Sequence, residues 1–319
     1  MNDKLTGRKQ RIAAVCLKAA CVLLFPACIS GCGKEAAWEK QITEEEIVIE
    51  GLTGEYDLLF LTDNHMIVMD EGDSGQIVQN AAPRLTMFQN KESVSSAEQF
   101  EEWVSYANEE EVDGVLLGGD IIDYPSEANL AYLKEQLEKF HMPYLYTMGN
   151  HDWTYPWEYM TEYAKTAYRP LFEPYMKGNC AFQVQDFGEF LVVAVDNGSN
   201  QIDGEALEEY EEILEEDRPV IVMVHVPFYT QDLQEKAKTV WNSPVVIGGG
   251  AQGGIYPNEV SAKFMELTTA KDSPVQAVIA GHVHFYNKSY IEGEKKVLQI
   301  VGDAGAFGSA VRLHVRGDY

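Results

Sequence analysis

Cysteine is scarce, and what there is cannot cross-link the body of the chain. Of five cysteines in 319 residues, Cys16, Cys21, Cys28 and Cys32 crowd the start and only Cys180 lies beyond them. The body therefore forms no internal disulfide and has to be held by a packed core. No apolar run is long enough to cross a bilayer as a helix. Ala19 to Ser30 spans 12 residues, which suits the apolar segment of a secretory leader instead. Basic charge is also in short supply: 24 Lys and Arg stand against 51 Asp and Glu, a formal net charge of −27. Nucleic-acid binders carry a basic stripe that follows phosphates, so this balance argues against nucleic acid as a partner. Internal repeats and low-complexity tracts are missing as well. What is abundant is hydrophobic residues, at 45%, enough for a large core.

The start of the chain has its own pattern. Lys4, Arg8, Lys9, Arg11 and Lys18 lie before or at the edge of the apolar run, which ends in Ile29-Ser30-Gly31-Cys32. This resembles a bacterial lipoprotein leader, in which the cysteine is acylated and becomes the new N-terminus. The resemblance implies a signal peptide over 1–31, export, and anchoring to the outer face of the cell membrane through lipid on Cys32. The alternative is a short buried helix ending at Gly31. Loss of the leader would remove five basic residues and one acidic residue, leaving about −31. Residues 32–50 are expected to be a tether and 51–319 one domain.

Apolar runs then alternate with amphipathic stretches. Residues 56–62, 115–117, 144–148, 181–185, 190–195, 220–224 and 275–280 read as strands, followed by three more near 284–291, 296–301 and 309–315. Ser95 or Ser96 can cap a helix reaching about residue 108, with Phe100, Trp103, Val104 and Ala107 on one face. Ser126 can cap another, in which Leu130, Leu133, Leu137 and Phe140 recur at helical spacing. Residues 155–169 and 203–216 read as further helices. The alternation predicts a layered α/β domain, and the late hairpins predict a mixed sheet.

Five short motifs share one setting, each following an apolar strand: Asp63-Asn64-His65, Gly119-Asp120-Ile121-Ile122-Asp123, Gly149-Asn150-His151-Asp152, His225-Val226-Pro227 and Gly281-His282-Val283-His284. Ligands of α/β sheets sit beyond the carboxyl ends of strands, so these residues are expected to converge. Five of the seven histidines fall in the motifs, leaving His141 and His314 outside. The side chains offer oxygen and imidazole without thiolate, a donor set for divalent metals such as Mn, Fe, Ni or Zn. Alternate residues of an extended Asp-x-His or His-x-His face one way, so each pair can address one site. Singly, each motif reads as an ordinary turn or a hydrogen-bonded core histidine; together and in this order they do not.

The ordered set resembles the calcineurin-like metallophosphoesterase superfamily, over residues 55–301. The resemblance implies a four-layer β-sandwich of two mixed sheets flanked by helices, and two divalent metal ions. It implies Asp63, His65 and His284 as ligands of one ion and Asn150, His225 and His282 as ligands of the other, with Asp120 bridging. It assigns His151 to the transition state or the leaving oxygen, Asp152 to orienting His151, and Asp123 to supporting the site. Two such cations would bind phosphate oxygens and acidify a bridging water, whose hydroxide attacks phosphorus. A purple acid phosphatase would place Tyr at position 123; the nearest here is Tyr124, so a ferric site is disfavoured.

The expected activity is hydrolysis of a small phosphomonoester or phosphodiester, with nucleotides or phospholipid headgroups as candidate substrates. The alternatives are an extracellular nuclease and a non-catalytic binding lipoprotein, which the acidic balance and the complete ligand set respectively oppose. Residues 66–94 are expected to be an insertion bordering the site. Within it Arg84 reads as a solvated loop arginine, with a phosphate clamp as the alternative. Gly248 to Gly254 reads as a flexible turn rather than a phosphate cradle, and Gly302 to Gly305 as part of the rim.

Overall fold

The computed structural model describes residues 38–319 except 70, 71, 155–159, 244, 251 and 252. The expected leader and Cys32 lie outside the described residues. Among the described residues no helix is long and apolar enough to cross a membrane.

Continuous apolar runs make strands that are buried on both faces, and such strands need cover on both sides. The chain supplies it by stacking two sheets. The first contains β1 (Gln41–Val48), β2 (Glu55–Leu61), β3 (Gly114–Leu117), β4 (Tyr144–Tyr146) and β11 (Ser309–Arg316), in the order β1-β11-β2-β3-β4. The second contains β5 (Phe182–Asp186), β6 (Leu191–Val195), β7 (Val220–Met223), β8 (Val275–Ala280), β9 (Asn287–Ile291) and β10 (Val297–Val301), in the order β5-β6-β7-β8-β10-β9. Both are mixed. The β2–β3–β4 and β6–β7–β8–β10 pairings are parallel, while β11–β2, β5–β6 and β10–β9 are antiparallel.

The period of two in a strand decides which layer each side chain enters. In β2, Leu58 and Phe60 meet Val192, Ala194, Ile221 and Ile279 of the other sheet, whereas Leu59 and Leu61 face the helical side. There they pack with Phe100, Trp103 and Val104 of α2 (Ser96–Glu109) and Leu133 and Leu137 of α3 (Glu127–Leu137). On the far side Val193 and Val222 pack with Ala206 and Tyr210 of α6 (Gly204–Leu214) and Phe264 of α8 (Glu259–Thr269). The result is the expected four-layer sandwich. Ser95 and Ser126 cap α2 and α3, and Ser95 forms a full capping box with Glu98.

Several expectations change. Residues 41–48 are not tether but the edge strand β1, paired in parallel with β11. Its run of glutamates hid it: Glu44 and Glu46 bond His314 and Arg316 on the neighbouring strand, and Glu45 turns in towards Tyr286 and Lys288. The expected insertion contains α1 (Gly75–Met87), capped by Ser74. Two helices, α7 (Gln231–Trp241) and the α8 named above, occupy sequence with no earlier assignment. Of the helix expected over 155–169, α5 (Glu162–Tyr168) is described and residues 155–159 lie outside the described residues.

Candidate metal centre and active site

β2, β3, β4, β7 and β8 all end at one rim, and each passes directly into one of the five motifs. Three groups of donor atoms within 4.8 Å of one another result: the triads Asp63, His65 and His284, and Asp120, His225 and His282, and a further group of His65, Asp123 and His151. His284 Nε2 lies 3.2 Å from Asp63 Oδ1 and 3.1 Å from His65 Nε2. His225 Nε2 lies 3.2 Å from both Asp120 Oδ2 and His282 Nδ1. Asp120 Oδ2 also lies 3.8 Å from His65 Nε2, so it stands between the triads. Asn150 opens the short helix α4 (Asn150–Trp153).

The backbone that delivers these donors is not extended, contrary to the expected alternation. Asp63, His65, Asp120, His282 and His284 have φ of 53°, 44°, 51°, 72° and 53°, in the left-handed region. That costs on the order of 1 kcal/mol or more per residue and survives only where the surroundings enforce it. Here Gly119 O and Asp120 O accept the N–H groups of Asp63 and His65, and Asp63 Oδ2 accepts that of His282. Gly149 lets the β4 loop close on the site, since a Cβ there would lie 2.1 Å from Asp120 Oδ1.

The imidazoles are held by their second nitrogens. His225 Nδ1 donates to Gly118 O at 2.8 Å and His65 Nδ1 to Asp123 Oδ1 at 3.0 Å, which leaves Nε2 of each turned to the centre. Asn197, at the end of β6, accepts the N–H groups of His225 and Val226 on Oδ1 and donates to Val226 O, so it fixes the segment carrying His225. Phe88 stacks on the His65 ring at 4.1 Å. Neither Asn197 nor Phe88 carried a sequence signal, because both act through distant partners.

Burial is the largest influence on the imidazoles. It pushes His65 down to about 4 and, with help from the neighbouring His225, His282 down to about 3, so both are neutral and able to bind metal. For His225 burial is outweighed by Asp120, which raises it to about 10. Burial would raise Asp63, but His284 and His225 bring it down to about 2. The donor set fits divalent cations on further grounds. Asp63 Oδ1 and Asn150 Oδ1 are buried without a hydrogen-bond partner, and nitrogens of two imidazole pairs face each other at close range. Buried polar atoms left in that state are costly unless something positive sits between them.

His151 lies at the mouth, its side chain 20% exposed, with Nδ1 3.2 Å from Asp123 Oδ1. Burial would lower its pKa, but Asp120 and Asp123 outweigh that and raise it, towards the proton-donating form. Asp152, expected to orient His151, does something else. It is wholly buried and accepts the N–H groups of Asp120, Ile121, Ile122 and Gly149 and the Tyr146 hydroxyl. It therefore organises the loop that presents Asp120, and the partner of His151 is Asp123.

Arg84 is not a solvated loop residue. It sits on α1, pairs with both oxygens of Asp123, and brings Nη2 within 3.4 Å of His151 Nδ1. Burial would raise the Asp123 pKa, yet hydrogen bonds from Arg84, His151 and His65 hold it far below the usual carboxylate range. Tyr124 packs with Ile67, Ala81 and Phe88 beneath α1. A Cβ on Gly249 would meet the Tyr229 ring, and Gly248, Gly249, Gly250, Gly253 and Gly254 all have positive φ, while residues 251 and 252 lie outside the described residues. Gly305 and Ala306 donate to Thr62 O and Asp63 O, which ties the 302–305 segment to the rim.

The fold is a layered α/β sandwich of two mixed sheets, with oxygen and imidazole donors that could hold metal ions gathered at its strand ends. The family model for calcineurin-like phosphoesterases matches residues 56–286, and the chain belongs to that family. No curated protein matches it. Among solved structures it is similar to a dimetal phosphatase from Danio rerio, at 12% identity and TM-score 0.49, covering 79% of this chain and 88% of that one. It is also similar to the inner-membrane-complex anchor GAP50 of Plasmodium, at 16% identity and TM-score 0.42, covering 79% and 72%. A third likeness, to a 5'-nucleotidase described as putative from Staphylococcus aureus, has 13% identity and TM-score 0.36, covering 79% and 49%.

Proposed function

We propose that the chain is a metal-dependent hydrolase of small phosphoesters, acting on a monoester or diester at a centre of two divalent cations. The observation that supports this most directly is the pair of donor triads with Asp120 standing between them, and the partly exposed His151 beside them. Asp63, His65 and His284 would hold one cation and Asn150, His225 and His282 the other, with Asp120 common to both. Divalent cations bound there would neutralise phosphate oxygens and make water acidic enough to attack.

The chain's own residues supply the rest. His151, at the mouth, gives its proton to the departing oxygen, and Asp123 holds the ring for that transfer. Arg84 fixes Asp123 and adds positive charge next to His151, where phosphate oxygens would lie. The mostly buried centre keeps bulk water away from the other donors.

The test is hydrolysis of p-nitrophenyl phosphate and its bis-ester with Mn²⁺ or Zn²⁺, beside Asn150→Ala and His151→Ala. The proposal expects metal-dependent turnover that both variants lose. A protein that binds two metal ions and cleaves neither ester would reduce the reading to the fold. The same proposal puts the enzyme outside the cell, anchored through Cys32, on the strength of the basic, apolar and Ile29-Ser30-Gly31-Cys32 sequence. Cys32→Ser should move it from the membrane fraction to the soluble one.

A further inference from the structure

His284 reaches the surface. Its side chain is 15% exposed, where those of His65 and His225 are fully buried. Its φ of 53° is also in the left-handed region. A strained residue at the surface keeps its conformation only where its neighbours enforce it.

The neighbour here is α7, a helix the mechanism above does not use. Trp241, its last residue, donates from the indole Nε1 to Val283 O at 2.8 Å. The Val283 carbonyl and the His284 N–H belong to one planar peptide group, so this bond fixes the plane that leads into His284. The same indole lies edge-on to the His284 imidazole, with ring centroids 5.4 Å apart. Two more bonds join the helix to the residues that follow. Lys236 Nζ donates to Tyr286 O at 2.8 Å, and Asp232 Oδ2 accepts from Asn287 Nδ2 at 2.7 Å. Leu233 and Ala237, on the inner face of α7, share a core cluster with Val283 and Phe285. The helix is thus bonded at three points to the segment that carries His284, and Trp241 is the point that touches a metal donor. Trp241 is 41% exposed, so core packing does not account for it.

We propose that Trp241 is a positioning residue, which splints the Val283–His284 peptide and so sets how firmly a cation is held by Asp63, His65 and His284. The metal part rests on the phosphoesterase reading, whereas the splint itself stands on contacts within the chain. His282 is held in another way, through its N–H to Asp63 Oδ2, so the second cation depends less on Trp241.

The experiment compares the full chain with three variants. Trp241→Phe keeps a ring but has no N–H, and Trp241→Ala has neither. Val240→Ala, at a 53% exposed position of the same helix end, is the control. The first arm is hydrogen exchange in chelator, which involves no metal. Both Trp241 variants should quicken amide exchange over residues 281–286 about tenfold, with β7 and β8 exchanging as in wild type. The second arm is calorimetric titration with Mn²⁺. Trp241→Ala should weaken one of two binding steps roughly 10–100-fold and leave the other nearly unchanged. Trp241→Phe should recover part of that loss, and Val240→Ala should change neither measurement. Faster exchange at 281–286 in a protein that takes up no Mn²⁺ would keep the splint and sink the metal reading. Faster exchange with both Mn²⁺ steps unchanged would overturn the link to the cation. Wild-type exchange in Trp241→Phe would overturn the splint. So would faster exchange spread over β7 and β8 with equal losses in both steps, which is the pattern of lost packing alone.

Discussion

Arg84 and Asp123 form a two-nitrogen, two-oxygen ion pair beneath the mouth of the metal centre, and the same carboxylate also meets His65 and His151. One buried carboxylate thus orients a metal-ligand candidate and the proposed proton donor together, and an arginine from α1 keeps it ionised.

Removing that arginine should therefore harm chemistry more than binding. Arg84→Ala is expected to lower kcat roughly 10–100-fold, the usual cost of losing a group that orients ligands. Arg84→Lys should recover only part, because an ammonium cannot make the paired geometry. Steady-state kinetics on p-nitrophenyl phosphate, with metal content measured alongside, check this.

Asp152 should behave as a structural acceptor. It receives four backbone N–H groups and one hydroxyl, and it is wholly buried. Asp152→Asn turns an amide NH₂ towards those donors and should destabilise the metal-free protein by roughly 3 kcal/mol. Urea unfolding in chelator measures it. An unchanged midpoint would contradict the role given to Asp152.

Asn197 holds His225 through the backbone, so its loss should be felt by one cation more than the other. Asn197→Ala is expected to weaken one of two metal-binding steps by about 10–100-fold while the other changes little. Calorimetric titration with Mn²⁺ separates the steps.

Acid stability has an identifiable contributor far from the centre. Glu189 accepts the N–H and hydroxyl of Thr53, the N–H of Gly54 and the Tyr56 hydroxyl, and these donors bring its pKa from 4.5 down to about 2. The folded pKa is below the unfolded one, so the stabilisation is complete above about 4.5 and fades as pH falls towards 2. Glu189→Gln should flatten that part of the profile. Urea midpoints between pH 5 and 2.5, both proteins in chelator, give the comparison.

The elements read most easily from sequence were those whose own residues announce them. The Phe100, Trp103, Val104, Ala107 face behind a serine cap forms α2, and apolar runs such as 220–224 and 275–280 form buried strands. β1 was hidden because its glutamates look solvated until β11 and β9 supply His314, Arg316 and Lys288. α1 was hidden because Pro83 interrupts its helical pattern, while its anchor is the distant Asp123.

The sequence by itself determined the donors: which oxygens and imidazoles exist, that each follows a strand, and that the parallel order of strands carries them to one end. Only the tertiary structure decided how they are aimed. Left-handed backbone at five donor positions, the bond between Asp123 and Arg84 across 39 residues, and the approach of His65 to His284 across 219 residues depend on contacts no local pattern encodes. Local propensity acts over a few residues, whereas the strain and buried charge of this centre are held by packing between the two sheets and their flanking loops.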